Sequence, residues 1–221
     1  MSATLREAIL AAADAVEAAT EELGVLDSVA GDGDHGVTMA ILARSVRKKL
    51  EEAPDATGAD LVGRVALGAA SVGGATGPLY GTGLMKIAAE MRAIGPVSKV
   101  TTADLRRCLE AAEAGIVALG KAAPGDKTIV DAIHPAVEAL HRAEADGSDV
   151  GDAVRAAAAA AREGADATAG MIARVGRASR LGERSRGSAD PGATSFAIIT
   201  EALAAACLSG DSYLSGVRGD R

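Results

Sequence analysis

The chain is 221 residues long, 52 of them alanine, with 48 % apolar and 24 % charged residues and only three aromatics, Tyr80, Phe196 and Tyr213. That length supports a real core, and this balance of apolar and charged residues excludes an intrinsically disordered chain. A formal charge of −7 without a basic stripe argues against a nucleic-acid partner, and an anionic ligand would need metal ions or local dipoles to offset the protein's own charge.

Alanine is the strongest helix former, and β-branched and aromatic residues are too few for a sheet, so the expected fold class is all-α. Leu5, Ile9, Ala12, Val16, Ala19 and Leu23 recur at three- and four-residue steps and predict a first helix over 3–23. The same reading predicts helices over 37–52, 58–72, 79–94, 102–120, 127–145, 149–168 and 191–208, with a shorter turn between 169 and 180. Start signals accompany several of them: Thr57 with Asp60, Thr102 before Asp104, Ser148 before an alanine run, and Asp190 followed by Pro191. Connections such as 54–56 and 145–148 are short and polar, as between antiparallel neighbours of a bundle, and no linker divides the chain. One domain over 1–221 is expected. Glu7, Asp14 and Glu17 do not suit a secretory leader, and no run of 18 apolar residues exists, so a cytoplasmic protein without a membrane partner is expected. Cys108 and Cys207, set in apolar helical stretches, are expected as reduced core residues.

Most of the 27 glycines fall in four non-helical segments, 31–36, 73–83, 120–125 and 176–192. Ordinary bundles do not need such loops, whereas backbones that approach a ligand closely do. The first segment, with Asp27 ahead of it, carries Asp32, Asp34 and His35. Hard carboxylate oxygens on a loop suit Mg2+ or Ca2+, although the EF-hand template fails because Ala43 stands where its bidentate Glu belongs. The match of 31–36 to GxGxxG is a decoy, since no strand precedes it; a solvated acidic turn capping a helix is the alternative to metal binding. The second segment, SVGGATGPLYGTG from Ser71 to Gly83, offers hydroxyls and free amides, either as an anion nest or as a turn that lets helices approach. The third, Gly120 to Thr128, is one residue from a Walker A motif but follows a helix, so its expected role is a stop and then an N-cap by Asp126. The fourth places Arg177, Arg180, Arg184 and Arg186 on a loop leading to Asp190-Pro191-Gly192; the arginine forks suit phosphate oxygens, and a solvated or ion-paired loop is the alternative. His134 and His141 sit on a helix as surface or capping groups. Carboxylates, amide-rich loops and an arginine loop together are the parts of a Mg2+–nucleotide site for phosphoryl transfer.

Taken together, GDGDHG at 31–36, SVGGATGPLYGT at 71–82, GDKT at 125–128 with Asp131 after it, and GRASRLGERSRGSADPGATS at 176–195 resemble the nucleotide-binding L subunit of dihydroxyacetone kinases, in the family's order and over almost the whole chain. The resemblance implies an eight-helix antiparallel barrel with ADP or ATP at one end and two Mg2+ ions held by Asp27, Asp32 and Asp34. It implies phosphate contacts by His35, Gly36, Val37, Thr38, Thr76 and Gly77, and base and ribose contacts by Gly120 and Ile129. Arg177, as the catalytic charge stabiliser, and the Asp190-Pro191-Gly192 turn complete the implied pocket. The implied partner is a substrate-binding K-type kinase subunit that holds the ketone, so this chain is expected to supply the phosphoryl donor and not to act on a free ketose alone. In one family arrangement a phosphotransferase-system protein rephosphorylates bound ADP; in the other, ATP exchanges from solution. A homodimer is left open. The alternatives are the same module serving another small-ketose kinase, a nucleotide-dependent regulatory protein, and a helical Ca2+ module.

Overall fold

The computed structural model describes residues 4–97 and 99–209; Tyr213 lies outside them. The described residues contain helices and no strand: α1 (Leu5–Ala18), α2 (Thr20–Ala30), α3 (His35–Glu51), α4 (Gly58–Ala70), α5 (Thr76–Ile94), α6 (Thr102–Gly120), α7 (Val130–Ala145), α8 (Val150–Ala167) and α9 (Pro191–Ser209), with 3-10 segments at Thr168–Gly170 and Arg177–Ser185. Eight of the helices close a ring in which α1 lies beside α3, α3 to α9 follow in sequence, and α9 returns to α1. The remaining helix, α2, stands outside the ring and packs on α3, α9 and the Arg177–Ser185 segment.

Small residues make the ring tight. Ala132, Ala136, Ala153, Ala161, Ala165, Ala193 and Ala197 have no exposed surface, so neighbouring helix backbones come close together. A Cβ on Gly164 of α8 would lie 2.2 Å from the Asp131 carbonyl oxygen of α7. One apolar cluster gathers Leu23, Met39, Leu42, Val46, Leu61 and Val65 from α2 to α4. Another gathers Ile116, Val130, Ile133, Leu140 and Phe196 from α6, α7 and α9, and Tyr80 packs against both. By length and composition, Pro191–Leu208 of α9 is apolar enough to cross a membrane (mean hydropathy 1.4); here it forms a wall of the ring, with Thr194 and Ser195 buried.

Contacts at the helix ends show the antiparallel alternation. At one end Arg6 of α1 donates to the carbonyls of Leu50 in the last turn of α3 and of Ala53, Pro54 and Ala56 beyond it, and Thr102 of α6 donates to the Ser148 carbonyl before α8. At the other end the first turns of α3, α5 and α9 meet through His35, Tyr80 and Ser195, and Thr168 after α8 accepts from the Asp190 amide before α9. Thr4 with Glu7 and Thr101 with Asp104 form reciprocal caps on α1 and α6.

Several local expectations differ from the structure. The first predicted helix is two, broken at Ala19 (φ −88°, ψ 9°), and α2 then runs to Ala30, so Asp27 lies on a helix. Thr101 and Asp149, not Thr102 and Ser148, cap α6 and α8, and Thr57 makes no side-chain cap. Asp126 does not cap α7, which starts only at Val130. Its carboxylate instead accepts from the Ala123 amide at 2.8 Å, while Asp131 accepts from the amides of Gly125 and Thr128 at 2.5 and 2.8 Å and ties the turn to α7. Neither cysteine is a core residue: Cys108 is half-buried and Cys207 exposed, because an alanine-rich run marks no single inward face.

Candidate phosphate and metal site

Carboxylate oxygens of Asp27, Asp32 and Asp34 lie within 4.8 Å of one another. The α2–α3 corner brings them together. Gly31 leaves room for Asp27, since a Cβ there would fall 2.1 Å from the Asp27 Oδ1. Gly33 takes a left-handed conformation, φ +78°, which reverses the chain between Asp32 and Asp34 at no steric cost. The His35 amide at the start of α3 donates to Asp27 Oδ2 at 3.3 Å.

Like charges this close must be offset. The Arg177 guanidinium donates to Asp32 and stands 3.9 Å from Asp34, crossing from the 3-10 segment to the α2–α3 corner. That bond holds the Asp32 carboxyl below the usual carboxylate range. Asp34 is pushed the other way, by partial burial and then by the charge of Asp32, with Asp27 adding to it. One arginine therefore leaves the trio short of positive charge.

Behind the carboxylates a short hydrogen-bonded chain joins three helix starts. Tyr80 Oη lies 2.9 Å from Ser195 Oγ, and His35 Nε2 lies 3.1 Å from the same oxygen, which also donates to the Gly192 carbonyl at 3.0 Å. Burial lowers the His35 pKa, against the opposing pull of Asp27, and raises that of Tyr80. Asp190 caps α9 by accepting from the Ala193 amide at 2.7 Å, and burial raises its pKa to about 6.

The sequence-predicted residues fall into groups. Asp27, Asp32, Asp34, His35 and Arg177 converge. Gly192 sits against Ile129, to which a Cβ would come within 3.8 Å, so Ile129 and the Asp190-Pro191-Gly192 turn form one surface. Thr76 and Gly77 open α5, whose cap residue Ala75 makes no side-chain bond, and Asp34 makes none at α3, where the His35 amide goes to Asp27 instead; the open amides of such starts suit an anion. Gly120 ends α6 beside Leu79. Val37 is exposed, whereas the Thr38 amide is already spent on the Asp34 carbonyl at 2.9 Å. Gly36 and Gly77 are buried, and a Cβ at either would lie 1.9 Å from a carbonyl oxygen, of Thr20 and Val72 respectively, so each is also needed for close backbone approach. The sequence reading gave no role to Tyr80 and Ser195, although both stand inside the quoted segments, nor to Lys127; Asp131, which it singled out after GDKT, holds the third glycine segment in place through the amides of Gly125 and Thr128.

Residues 29–205 match the family model described as the DAK2 domain. The chain is 38 % identical over 193 residues to the ADP-binding subunit DhaL of the PEP-dependent dihydroxyacetone kinase of Escherichia coli, covering 85 % of this chain and 88 % of that subunit. It is 42 % identical over 188 residues to L-erythrulose 1-kinase of Mycolicibacterium smegmatis, covering 82 % of this chain but only 32 % of the relative. The crystal structure of the dihydroxyacetone kinase of C. freundii in its native form superposes with a TM-score of 0.67 at 25 % identity, over 90 % of this chain and 33 % of that one. The same kinase in complex with AMP-PNP and Mg2+ gives 0.64 at 24 % identity over the same shares. The chain thus spans about a third of these long kinases, 32 % and 33 %, and most of the separate DhaL subunit. A family match through nearly the whole ring, together with that near full-length identity, makes this chain a DhaL-like member of the DAK2-domain family.

Proposed function

We propose that this chain is the Mg2+–nucleotide-binding, phosphoryl-donating subunit of a dihydroxyacetone-type kinase, working as one domain over 1–221 and passing phosphate to a ketone held on a separate K-type subunit. The observation that carries the reading is the trio Asp27, Asp32 and Asp34 at the start of α3, together with an α5 that begins without a side-chain cap. Carboxylates alone would repel a polyphosphate and open amides alone would attract any anion; only the pair of features selects an anion that arrives with cations. The relative named as an ADP-binding subunit supplies the nucleotide.

The donor set fits Mg2+. It is all oxygen and fully ionisable, and among the described residues its excess negative charge is answered by one ion-pair partner, Arg177. Asp27, Asp32 and Asp34 would hold two ions, which when bound supply Lewis-acid stabilisation of phosphate charge. The protein's own contribution is positional. Burial disfavours the charged form of His35, whose Nε2 bonds to Ser195, fixing the α3 start. The α5 start presents Thr76 and Gly77. Ile129 and the Asp190-Pro191-Gly192 turn offer the apolar wall for base and ribose, and Arg177 places a charge that the transferred group can share. ADP held as a coenzyme and recharged by a phosphotransferase-system protein, or ATP exchanging from solution, would use the same contacts.

A second reading keeps the site and changes the ketose: the erythrulose kinases among the relatives favour a four-carbon ketose as the partner's substrate. Mixing the chain with K-type subunits and following which ketone is consumed separates the two. The site itself is tested by calorimetric titration of ADP with Mg2+ into wild type and Asp32→Ala. Affinity is expected to fall by about 100-fold or more, since even outer partners of metal ligands are worth 10–100-fold, with the helical circular-dichroism signal retained. Unchanged affinity overturns the proposal.

A further inference from the structure

The mechanism leaves one buried charge unused. Lys127, in the near-Walker segment, is only 5 % exposed and takes a left-handed backbone, φ 61°, which is costly for a residue with a Cβ. Its partners are backbone carbonyls. Nζ donates to Thr168 O at 2.9 Å, to Met171 O at 3.4 Å and to Ser188 O at 2.6 Å. An ammonium group has three hydrogens, and here each meets a carbonyl.

The identity of those carbonyls matters. Thr168 and Met171 stand where the chain leaves α8, and Ser188 stands just before it enters α9. Between them runs the segment that carries Arg177. Two further bonds close the same base, from the Gly187 amide to Ala169 O at 2.8 Å and from the Arg174 amide to Asp126 O at 3.1 Å. Beyond this base the Ala173 amide donates to the buried Ser185 Oγ at 2.9 Å, while Arg177, Arg180, Arg184 and Arg186 on the same segment are exposed and Gly182 interrupts the 3-10 turns with φ 53°. Burial also lowers the pKa of Lys127 against the attraction of Asp190, so the charge is not held there for its own stability.

We infer that Lys127 is a positioning residue for Arg177: by drawing the two ends of the 168–188 segment onto one ammonium, it closes the base of the arginine loop and sets the guanidinium against Asp32. The inference deepens the proposed nucleotide site and rests on it for the role of Arg177, while the closure of the loop is testable without any nucleotide.

Limited trypsin digestion of the apo protein reads the loop directly, because four exposed arginines lie within it. Lys127→Met is expected to speed cleavage in 177–186 by about tenfold or more, since about tenfold is the scale of losing a single charge-assisted hydrogen bond, with cleavage at the other sites shared with wild type unchanged. Lys127→Gln, which keeps two donor hydrogens, should fall between. A cleavage rate equal to wild type in both variants overturns the inference, whether or not the protein binds nucleotide. Titration of ADP with Mg2+ then separates positioning from mere stability: Lys127→Met should weaken binding about tenfold in the wild-type background and have little effect when Arg177→Ala is present. An equal loss in both backgrounds overturns the action through Arg177. Should neither variant fold, hydrogen exchange of wild type decides: the Gly187 amide should exchange as slowly as ring-helix amides, and exchange as fast as an open loop refutes the closed base.

Discussion

Gly36 fixes the angle at which α2 meets α3, and replacing it with alanine sets two effects of opposite sign against each other. Alanine in a helix is worth up to about 1 kcal/mol over glycine, and less in a first turn. Against this, the new Cβ would lie 1.9 Å from the Thr20 carbonyl oxygen and 2.9 Å from the Gly24 nitrogen. Both are backbone atoms of α2, so no side chain can swing aside, and α2 must retreat by more than about 1 Å to restore ordinary contact. That motion strips Leu23, which is fully buried, from its neighbours, at the upper end of the 1–3 kcal/mol typical of overpacking or beyond it. Gly36→Ala is therefore expected to lose about 2–4 kcal/mol. For a chain of this size that is a fall in melting temperature of about 5–15 °C, read by circular dichroism at 222 nm. Gly24→Ala on the facing helix is the control: its Cβ would meet only the Gly33 oxygen, at 3.5 Å, so the propensity gain should survive and the variant should melt at or above wild type. Because Asp27 rides on α2 and Asp34 precedes α3, Gly36→Ala should also weaken Mg2+–ADP binding beyond what its stability loss explains. A Gly36→Ala protein that melts with wild type would refute the argument that backbone contact, not turn flexibility, selects this glycine.

Asp190 carries a pH prediction. Its folded pKa, raised by burial to about 6 from the ordinary aspartate value of about 3.9, means that its contribution is complete below pH ~4 and is lost as pH rises through ~6, by up to about 3 kcal/mol. Asp190→Asn keeps a cap acceptor for Ala193, so urea denaturation should show the variant gaining on wild type between pH 4 and 7; a constant difference would sink this account. Ser195 carries a coupling prediction. Ser195→Ala leaves the Tyr80 hydroxyl and His35 without their shared partner and should cost about 1–3 kcal/mol, and Tyr80→Phe should cost less in that background than alone. Strict additivity in the double-mutant cycle would show that the three groups do not act as a chain.

The ring was legible in the sequence because its causes are local. Asp190 with Pro191 announces a helix start chemically, and apolar steps such as Ile133, Val137 and Leu140 keep one face inward over several turns. The break at Ala19 was not legible. Val16, Ala19 and Leu23 continue the period across it, and what divides α1 from α2 is that Leu23 must reach the cluster of Met39 and Leu42 while Thr20 and Gly24 receive Gly36. These are contacts with residues more than a turn away, and no window of the sequence contains them. The same holds for Cys207, where alanine on every side gives the period nothing to mark.

The site divides along the same line. Residues whose chemistry is unusual for a fold, three aspartates among glycines and four arginines on a loop, stood out because ordinary helix packing would not retain them. The residues that aim them did not stand out. Lys127 acts through backbone groups, and a backbone carbonyl has no sequence signature, so a lysine that gathers three of them looks like any lysine in a turn. Ser195 and Tyr80 are a helix-start serine and a lone tyrosine until the barrel brings α5 and α9 together at one oxygen. Ligand-facing groups can thus be found from composition that folding does not require, whereas positioning groups are found only once the chain has closed on itself.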